Sequence, residues 1–511
     1  MKKITLTIVF LFLLFAIKSQ NTFQYIYTGG APNVGTSGCL TSDGGYIING
    51  EITVGSSNIY LIKINPDGSV AWSKSYDMSI TGSVGNSIQQ TNDGGYIITG
   101  AGSGAPSLLL KIDNIGNIMW KKTYTSSTEL VKQTMDGGYI IVGTAGGSGF
   151  GISVIKTDNN GNTTWTKNYS RNNSLTNYGY YIQQTSDYGY IVLGKTDTVA
   201  ASSGGDIYFI KLDSLGNKIW SKTYGGTGDD YANYVKQTID GGYIITGETY
   251  PNATANYTDI FLLKTDSVGN MNWVKTYGGI KSDAGSCVYP TINGDYIITG
   301  YTESFPDSVT NSKLFLIKTN STGNIIWMKI YGGGAWCSGN SVFGASDGGY
   351  IIIGNKSSIP AGAYLIKTDS LGNSGCLESI VTTTTNTPSF TTIIPNDTIT
   401  TSVTDAVPTT YTSTWTTTLN TLCYVGINEL IDILDIEIFP NPFTSQTTIS
   451  FSEQQMNTTI KIKDILGKEM KSINFTGKQC IIEKGEMRKG IYFVNITYEN
   501  KKIINKKIVI Q

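Results

Sequence analysis

Short apolar runs alternate with tight polar turns along most of the chain. Tyr243-Ile244-Ile245-Thr246 follows Asp240-Gly241-Gly242, and Ile260-Phe261-Leu262-Leu263 follows a longer polar loop. Trp273-Val274 follows a second turn, Asp266-Ser267-Val268-Gly269-Asn270. Runs of this length, rich in β-branched and aromatic residues and bounded by Gly, Asn and Asp, predict strands. Between Tyr224 and Tyr277 the pattern predicts four of them: 234–238, 243–246, 259–265 and 271–277. Asp-Gly-Gly marks a tight turn because Gly supplies the positive φ that such turns need.

The unit recurs. Its tyrosine stands at Tyr46, Tyr96, Tyr139, Tyr190, Tyr243, Tyr296 and Tyr350, a period of about 43 to 54 residues. One four-stranded meander cannot bury two apolar faces, whereas seven packed radially can. The expected fold is therefore all-β, with residues 21–376 forming a seven-bladed β-propeller of four-stranded blades. A linear β-solenoid is the alternative, but its coils are usually shorter than about 50 residues. The ends of the array favour closure. The fourth strand carries Trp72, Trp120, Trp165, Trp220, Trp273 and Trp327, but the seventh unit stops after Asn373, with Cys376 where a Trp would stand. Phe23-Gln24-Tyr25-Ile26-Tyr27 reads as the missing strand, so the N-terminal strand is expected to pair with 364–368 and close the ring.

The remaining segments differ in composition. Lys2-Lys3 followed by an apolar run over 4–17 predicts a secretory signal peptide over 1–20, too short for a membrane anchor. Residues 377–432 are rich in Thr and Ser, which predicts an extended linker or a small β-rich cover. Cys376 and Cys423 bracket it; a disulfide there would close a loop of about 46 residues, worth about 4 kcal/mol in the chain-entropy account. The sequence assigns no pairing to Cys39, Cys287, Cys337 and Cys480. Residues 433–511 alternate with a period of two and predict a small C-terminal β-sandwich.

Two stretches carry resemblances. Tyr224-Gly225-Gly226-Thr227-Gly228-Asp229-Asp230-Tyr231, with the Asp-Gly-Gly-Tyr strand after it, resembles the SBBP type of bacterial extracellular β-propeller repeat. Pro440-Asn441-Pro442, Asp464-Ile465-Leu466-Gly467-Lys468, Gly490-Ile491-Tyr492-Phe493 and Lys506-Lys507-Ile508-Val509 resemble the type A C-terminal sorting domain of type IX secretion substrates. The second resemblance implies the type IX machinery as a partner, passage through the outer membrane, and a secreted or surface-attached product. The first implies fold alone.

Composition narrows the chemistry. Net charge is −1, which argues against nucleic acid as a partner. There is no histidine, so His-based triads and His metal ligands are excluded. Arg171 and Arg488 are the only arginines, too few for a sialidase-like cluster. No cofactor motif is present, no CxxC pair suggests zinc, and no Asp-x-Asp-x-Asp-Gly loop suggests calcium. Asp229, Asp230, Asp259 and Glu248 could serve as an acid/base or calcium set, but carboxylates in Gly-rich loops are more often turn formers.

The expected role is thus non-enzymatic: an exported binding or adhesion module for a glycan or protein, with no membrane span in the mature chain. A polysaccharide hydrolase or lyase is the alternative. Recognition is expected on the rim carrying the variable loops 51–58, 101–106, 248–258, 301–312, 225–231, 278–284 and 332–337. The candidate contacts there are Trp336, Tyr231, Asp229, Asp230, Glu248, Tyr250, Tyr257 and Tyr301. Deleting 438–511 should leave a folded array in the periplasm. Cell fractionation checks this, and wild-type amounts in the medium would contradict it.

Overall fold

The structure is a computed structural model. It describes residues 22–510 except 29–32, 55, 78–83, 102–106, 146–150, 172–176, 198–203, 252–253, 306–310, 334–335, 358–360, 376, 394–396, 401–404, 407–410, 415–417, 426–435, 465–467 and 498–502. The expected signal peptide, Cys376, the Cys423 side chain and Gly467 lie outside the described residues. Every regular element described is a strand. The chain divides into two compact units, Met1–Tyr424 and Val425–Gln511.

In the first unit, four-stranded antiparallel meanders follow one another along the chain. The first comprises Asn33–Leu40, Tyr46–Val54, Ser56–Ile64 and Val70–Asp77, and the second Val84–Gln90, Tyr96–Ala101, Ser107–Ile112 and Ile118–Tyr124. Leu130–Gln133, Tyr139–Thr144, Ile152–Thr157 and Thr163–Arg171 make the third. Asn177–Gln184, Tyr190–Thr196, Asp206–Leu212 and Lys218–Gly225 make the fourth. The fifth is Asp230–Gln237, Tyr243–Thr249, Asp259–Thr265 and Met271–Gly278, close to the strands read from the pattern. The sixth is Asp283–Pro290, Tyr296–Thr302, Lys313–Thr319 and Ile325–Tyr331. The seventh draws on both ends of the array. Cys337–Gly344, Tyr350–Lys356 and Gly362–Thr368 are completed by Thr22–Thr28, with Phe23 opposite Lys367 and Tyr27 opposite Ala363.

The Thr-rich segment does something the sequence reading did not anticipate. It is not a free linker but a cover distributed over the sheets: it supplies a fifth, outermost strand to each of them, in reverse order. Glu378–Ile380 joins the sixth sheet, Thr384–Asn386 the fifth, Thr391–Ile393 the fourth and Asp397–Thr400 the third. Asp405–Ala406, Tyr411–Thr414 and Thr418–Val425 then join the second, first and seventh. Each pairing satisfies backbone groups that an open fourth-strand edge would expose.

Consecutive sheets pack face to face, and first strands touch first strands. Cys337–Gly344 of the seventh sheet touches Asn33–Leu40 of the first, so the succession closes on itself. Strands buried on both faces explain the unbroken apolar runs. Ile98 packs toward the first sheet with Ile47 and Leu61, while its neighbour Ile97 packs toward the third with Val131 and Ile141. The last such core joins Phe23, Tyr27, Ile353 and Leu365 of the seventh sheet to Ile48 and Ile62 of the first.

Polar bonds set the order of the sheets. Each fourth-strand tyrosine donates its hydroxyl to a glycine carbonyl in the next sheet's second turn. Tyr76 reaches Gly116, Tyr124 Gly161, Tyr169 Gly216, Tyr224 Gly269, Tyr277 Gly323 and Tyr331 Gly372, over 2.5 to 2.9 Å. Tyr27 of the N-terminal strand does the same to Gly68 at 2.7 Å. Those glycines have positive φ, +76° at Gly216 for instance, and a Cβ there would stand 2.8 Å from the Trp165 ring. The tryptophan therefore lies flat on the neighbouring turn and turns its edge to Tyr190, 6.1 Å away.

The Asp-Gly-Gly turn has its own anchor. Asp43 accepts from Thr41 and from the Gly45 amide, and it pairs with Lys63 at 2.8 Å. The pair recurs as Asp93–Lys111, Asp136–Lys156, Asp187–Lys211 and Asp240–Lys264. The second glycine makes a close approach in this turn: a Cβ on Gly45 would stand 2.2 Å from the Ile64 carbonyl oxygen. First-strand glutamines tie the first four of these turns to the next sheet, as where Ser42 N donates to Gln90 Oε1 at 2.7 Å.

Two boundaries bury facing carboxylates. A Cβ on Gly225 would stand 2.3 Å from Asp206 Oδ1 and 2.8 Å from Asp230 Oδ2. At Gly278 the same place lies 2.1 Å from Asp259 Oδ1 and 2.9 Å from Asp283 Oδ2. Burial, with Asp206 and Asp229 nearby, pushes Asp230 up to about 7; burial and Asp283 push Asp259 up to about 6.

The second unit is a separate five-stranded sheet, ordered Ile436–Phe439, Gln446–Lys463, Gly490–Thr497 and Ile503–Ile510, with Glu469–Glu483 also on Gln446–Lys463. Ile449, Ile460, Ile482, Val494 and Ile508 form its core. Of the sorting-motif residues, Asn441 Oδ1 accepts from Val509 N at 2.8 Å, and the Tyr492 hydroxyl donates to the Arg488 carbonyl at 2.9 Å. Pro440 and Pro442 follow cis peptide bonds, and Gly490 and Lys507 lie on paired strands.

Tyr27→Phe removes one buried bond and orphans the Gly68 carbonyl, so thermal denaturation should show a loss of about 1 kcal/mol; deleting 22–28 should cost far more. The buried carboxylates have folded pKa values above their unfolded value of about 3.9. Their favourable contribution is fully present below that value and is lost as pH rises through about 6 to 7. Asp230→Asn should therefore melt higher than wild type at pH 8 and equally at pH 4; an equal gap at both would contradict this.

Candidate functional site

The first strand of each sheet starts at the loop end of the array and finishes at the Asp-Gly-Gly end. At the loop end, the Tyr231 ring at the head of Asp230–Gln237 lies under Lys195 Nζ, 4.0 Å from its centroid. Lys195 comes from the neighbouring sheet and also pairs with Asp229 at 3.0 Å. Burial disfavours the Lys195 ammonium, but Tyr231 and Asp229 outweigh it and hold the pKa above the ordinary value. Burial likewise works against the Asp229 carboxylate, and the Gly205 amide and Lys195 overcome it.

Further tyrosines and acids surround this core. Glu248 stands opposite Tyr231 on the adjacent strand and accepts from Thr258 at 3.2 Å; burial raises its pKa. Tyr250 N donates to the Asp229 carbonyl at 2.9 Å. Tyr301, in the sixth sheet, is pushed up to about 12 by burial and by the charges of Glu248 and Glu303. Six side chains from three sheets thus form one surface: Lys195, Asp229, Tyr231, Glu248, Tyr250 and Tyr301.

The other expected residues sit elsewhere. Asp230 is fully buried beneath this surface, with Gly226 N donating to its Oδ2 at 2.9 Å. Tyr257 is half-buried beside Thr258. Trp336 is 46% exposed at the boundary of the sixth and seventh sheets. It has no hydrogen-bonded or ring contact with the Tyr231 group among the described residues; its carbonyl accepts from Ser357 N at 2.9 Å. Sequence reasoning missed Lys195 and the stacked pair Tyr178–Tyr180 beside it. Tyr178 and Tyr180 read as ordinary strand residues, and Lys195 as an ordinary strand lysine. Cys39, Cys287, Cys337 and Cys480 are free thiols.

The first strands also enclose a channel. Two adjoining cavities, of about 320 and 540 Å³, are each lined by residues from all seven sheets. Glu129, Asn86 and Tyr180 face the smaller, toward the loop end. Among the described residues no group of three or more acidic or thiol side chains is placed to hold a metal ion, and no helix is long and apolar enough to cross a membrane.

Known proteins resemble parts of this chain. An endo-acting ulvan lyase of Formosa agariphila is 31% identical over 78 residues, which is 15% of this chain and 15% of that protein. This chain therefore spans only a small part of its curated relative. Among solved structures, PorZ, an essential surface component of the type IX secretion system of Porphyromonas gingivalis, shares 8% identity at a TM-score of 0.15, covering 95% of this chain and 100% of that one. A tail fiber of Staphylococcus aureus phage P68 shares 9% at 0.23, covering 69% and 94%. Likeness at that level says nothing about activity. The model of the secretion system C-terminal sorting domain matches residues 437–511. The chain therefore ends in a type IX sorting domain, and the protein is secreted, extracellular or attached at the outer surface.

Proposed function

We propose that the seven sheets are the blades of an SBBP-like β-propeller closed by its N-terminal strand, and that this propeller is an exported binding module. The cyclic contacts of the first strands and the repeated tyrosine bonds support the ring. In the same reading the C-terminal sheet folds over as a small sandwich, with the long strands Gln446–Lys463 and Glu469–Glu483 serving both layers. The sorting domain delivers the module through the type IX machinery.

The ligand is a glycan or a protein epitope bound at the loop end. One observation carries this: aromatic faces and charged groups from three sheets converge around Lys195, where a rigid scaffold presents them together. Stacking surface beside hydrogen-bonding groups suits a sugar ring or a tyrosine-rich epitope. The module acts by binding, not by turnover. A chain of 511 residues without histidine lacks the commonest general base.

A glycan array and a pull-down with the secreted protein identify the ligand. Tyr231→Ala with Trp336→Ala should then weaken binding at least tenfold, about 1.4 kcal/mol, while the melting temperature stays near wild type. Because Trp336 stands apart, Tyr231→Ala alone should account for most of the loss. Unchanged affinity in the double variant would overturn the loop-end assignment.

A further inference from the structure

The channel has a second mouth, at the Asp-Gly-Gly end, and its chemistry differs. The 540 Å³ cavity there is of small-molecule size. Lys132 and Lys236 both face it, and no Asp or Glu lines it. The third-strand lysines behave differently: Lys63, Lys111, Lys156, Lys211 and Lys264 each meet an aspartate. Lys132 and Lys236 form no ion pair among the described residues. Burial holds both below the ordinary amine range, and the charge on Lys236 pushes Lys132 down further. Burial also pushes the neighbouring Cys39 and Cys287 thiols up.

The repeat itself marks the position as special. Equivalent first-strand positions carry Cys39, Gln89, Lys132, Gln183, Lys236, Tyr289 and Phe343, opposite Ile47, Ile97, Ile140, Ile191, Ile244, Ile297 and Ile351 on the second strands. The partner is isoleucine every time, yet the channel-facing residue varies. Packing does not demand lysine there, since five sheets do without it. Lys132 lies over the Tyr181 ring, 5.9 Å from its centroid, but neither ammonium meets an anion among the described residues, and two such charges in a semi-enclosed site cost free energy that an anion would offset. The glutamines and tyrosines of the lining are suited to a polyhydroxylated ring, beside apolar residues such as Met135 and Val342. Gln183 Oε1 is buried without a partner, and the Tyr181 and Tyr234 rings lie 4.5 Å apart beside the lysines.

We propose that this mouth of the channel binds an acidic sugar: a saccharide whose carboxylate sits between Lys132 and Lys236 while its hydroxyls meet the glutamine carboxamides and its ring lies against Tyr181 and Tyr234. A free sugar acid and a residue of an acidic polysaccharide share this chemistry. The site lies at the opposite end from the Tyr231 surface and does not depend on that assignment.

Calorimetric titration of the full chain tests it, with sodium glucuronate, glucose and polygalacturonate as probes. Glucuronate or polygalacturonate should bind, at least tenfold tighter than glucose, and added salt should weaken the binding. Binding of the polymer alone identifies a polysaccharide as the source; binding of both admits the free acid. Lys132→Met with Lys236→Met should abolish binding and, by removing unpaired buried charge, raise the melting temperature. The single change Lys236→Gln should weaken binding in the same direction, and it serves if the double variant fails to fold. Tyr231→Ala should leave it untouched. Equal affinity for glucose, undiminished binding by the lysine variants, or no binding of either acid up to about 10 mM, weaker than about 3 kcal/mol, would each overturn the proposal.

Discussion

A buried tyrosine hydroxyl must find an acceptor, and in this array the acceptor belongs to the next sheet. From Tyr76–Gly116 through Tyr331–Gly372, each sheet is bonded to its successor by the same contact, and Tyr27–Gly68 joins the last to the first. Apolar packing alone would hold sheets together without specifying their order or tilt, because it is non-directional. The hydroxyl bond is directional. It requires a carbonyl presented by a left-handed glycine, and the same glycine gives the tryptophan a flat place to lie. One turn therefore serves a hydrogen bond and a stacking contact together.

The second demand is at the edges. A fourth strand on the outside of each sheet would offer unpaired N–H and C=O groups to any passing chain. The Thr-rich segment covers them one sheet at a time, walking back from the sixth sheet to the first and ending on the seventh. Its composition suits the task. Threonine is β-branched, which favours an extended backbone, and polar, which favours an outer position. Phe390 anchors the walk by packing 5.8 Å from Phe261, in the core shared by the fourth and fifth sheets.

The channel has different chemistry at its two ends. Toward the loops it is lined by Glu129, Tyr180 and asparagines, and the Tyr231 surface with its carboxylates lies beyond. Toward the turns it carries two lysines and no acid. Such polarity comes from variation at channel-facing positions, which the packing of the sheets leaves free. At two sheet boundaries, away from the channel, Asp206 faces Asp230 and Asp259 faces Asp283, and burying these facing carboxylates has a cost in stability.

The number of sheets, their four-strand pattern and the use of the N-terminal strand were legible in the sequence. Each rests on a local signal: positive-φ glycines in turns, apolar runs buried on both faces, and a tryptophan missing from one unit but matched by Phe23-Gln24-Tyr25-Ile26-Tyr27. The sorting domain was legible for the same reason, since its motifs are contiguous. The path of the Thr-rich segment was not, because short polar strands carry no record of which distant edge they pair with. Nor was the split among the candidate site residues. Asp229 and Asp230 are neighbours in sequence, but alternation along an extended chain turns one to Lys195 and the other inward to Asp206. Lys195, Lys132 and Lys236 looked like any strand lysine. Only the packing of the sheets decided which lysines meet an aspartate and which face a channel without one, because that depends on side chains brought together from separate sheets.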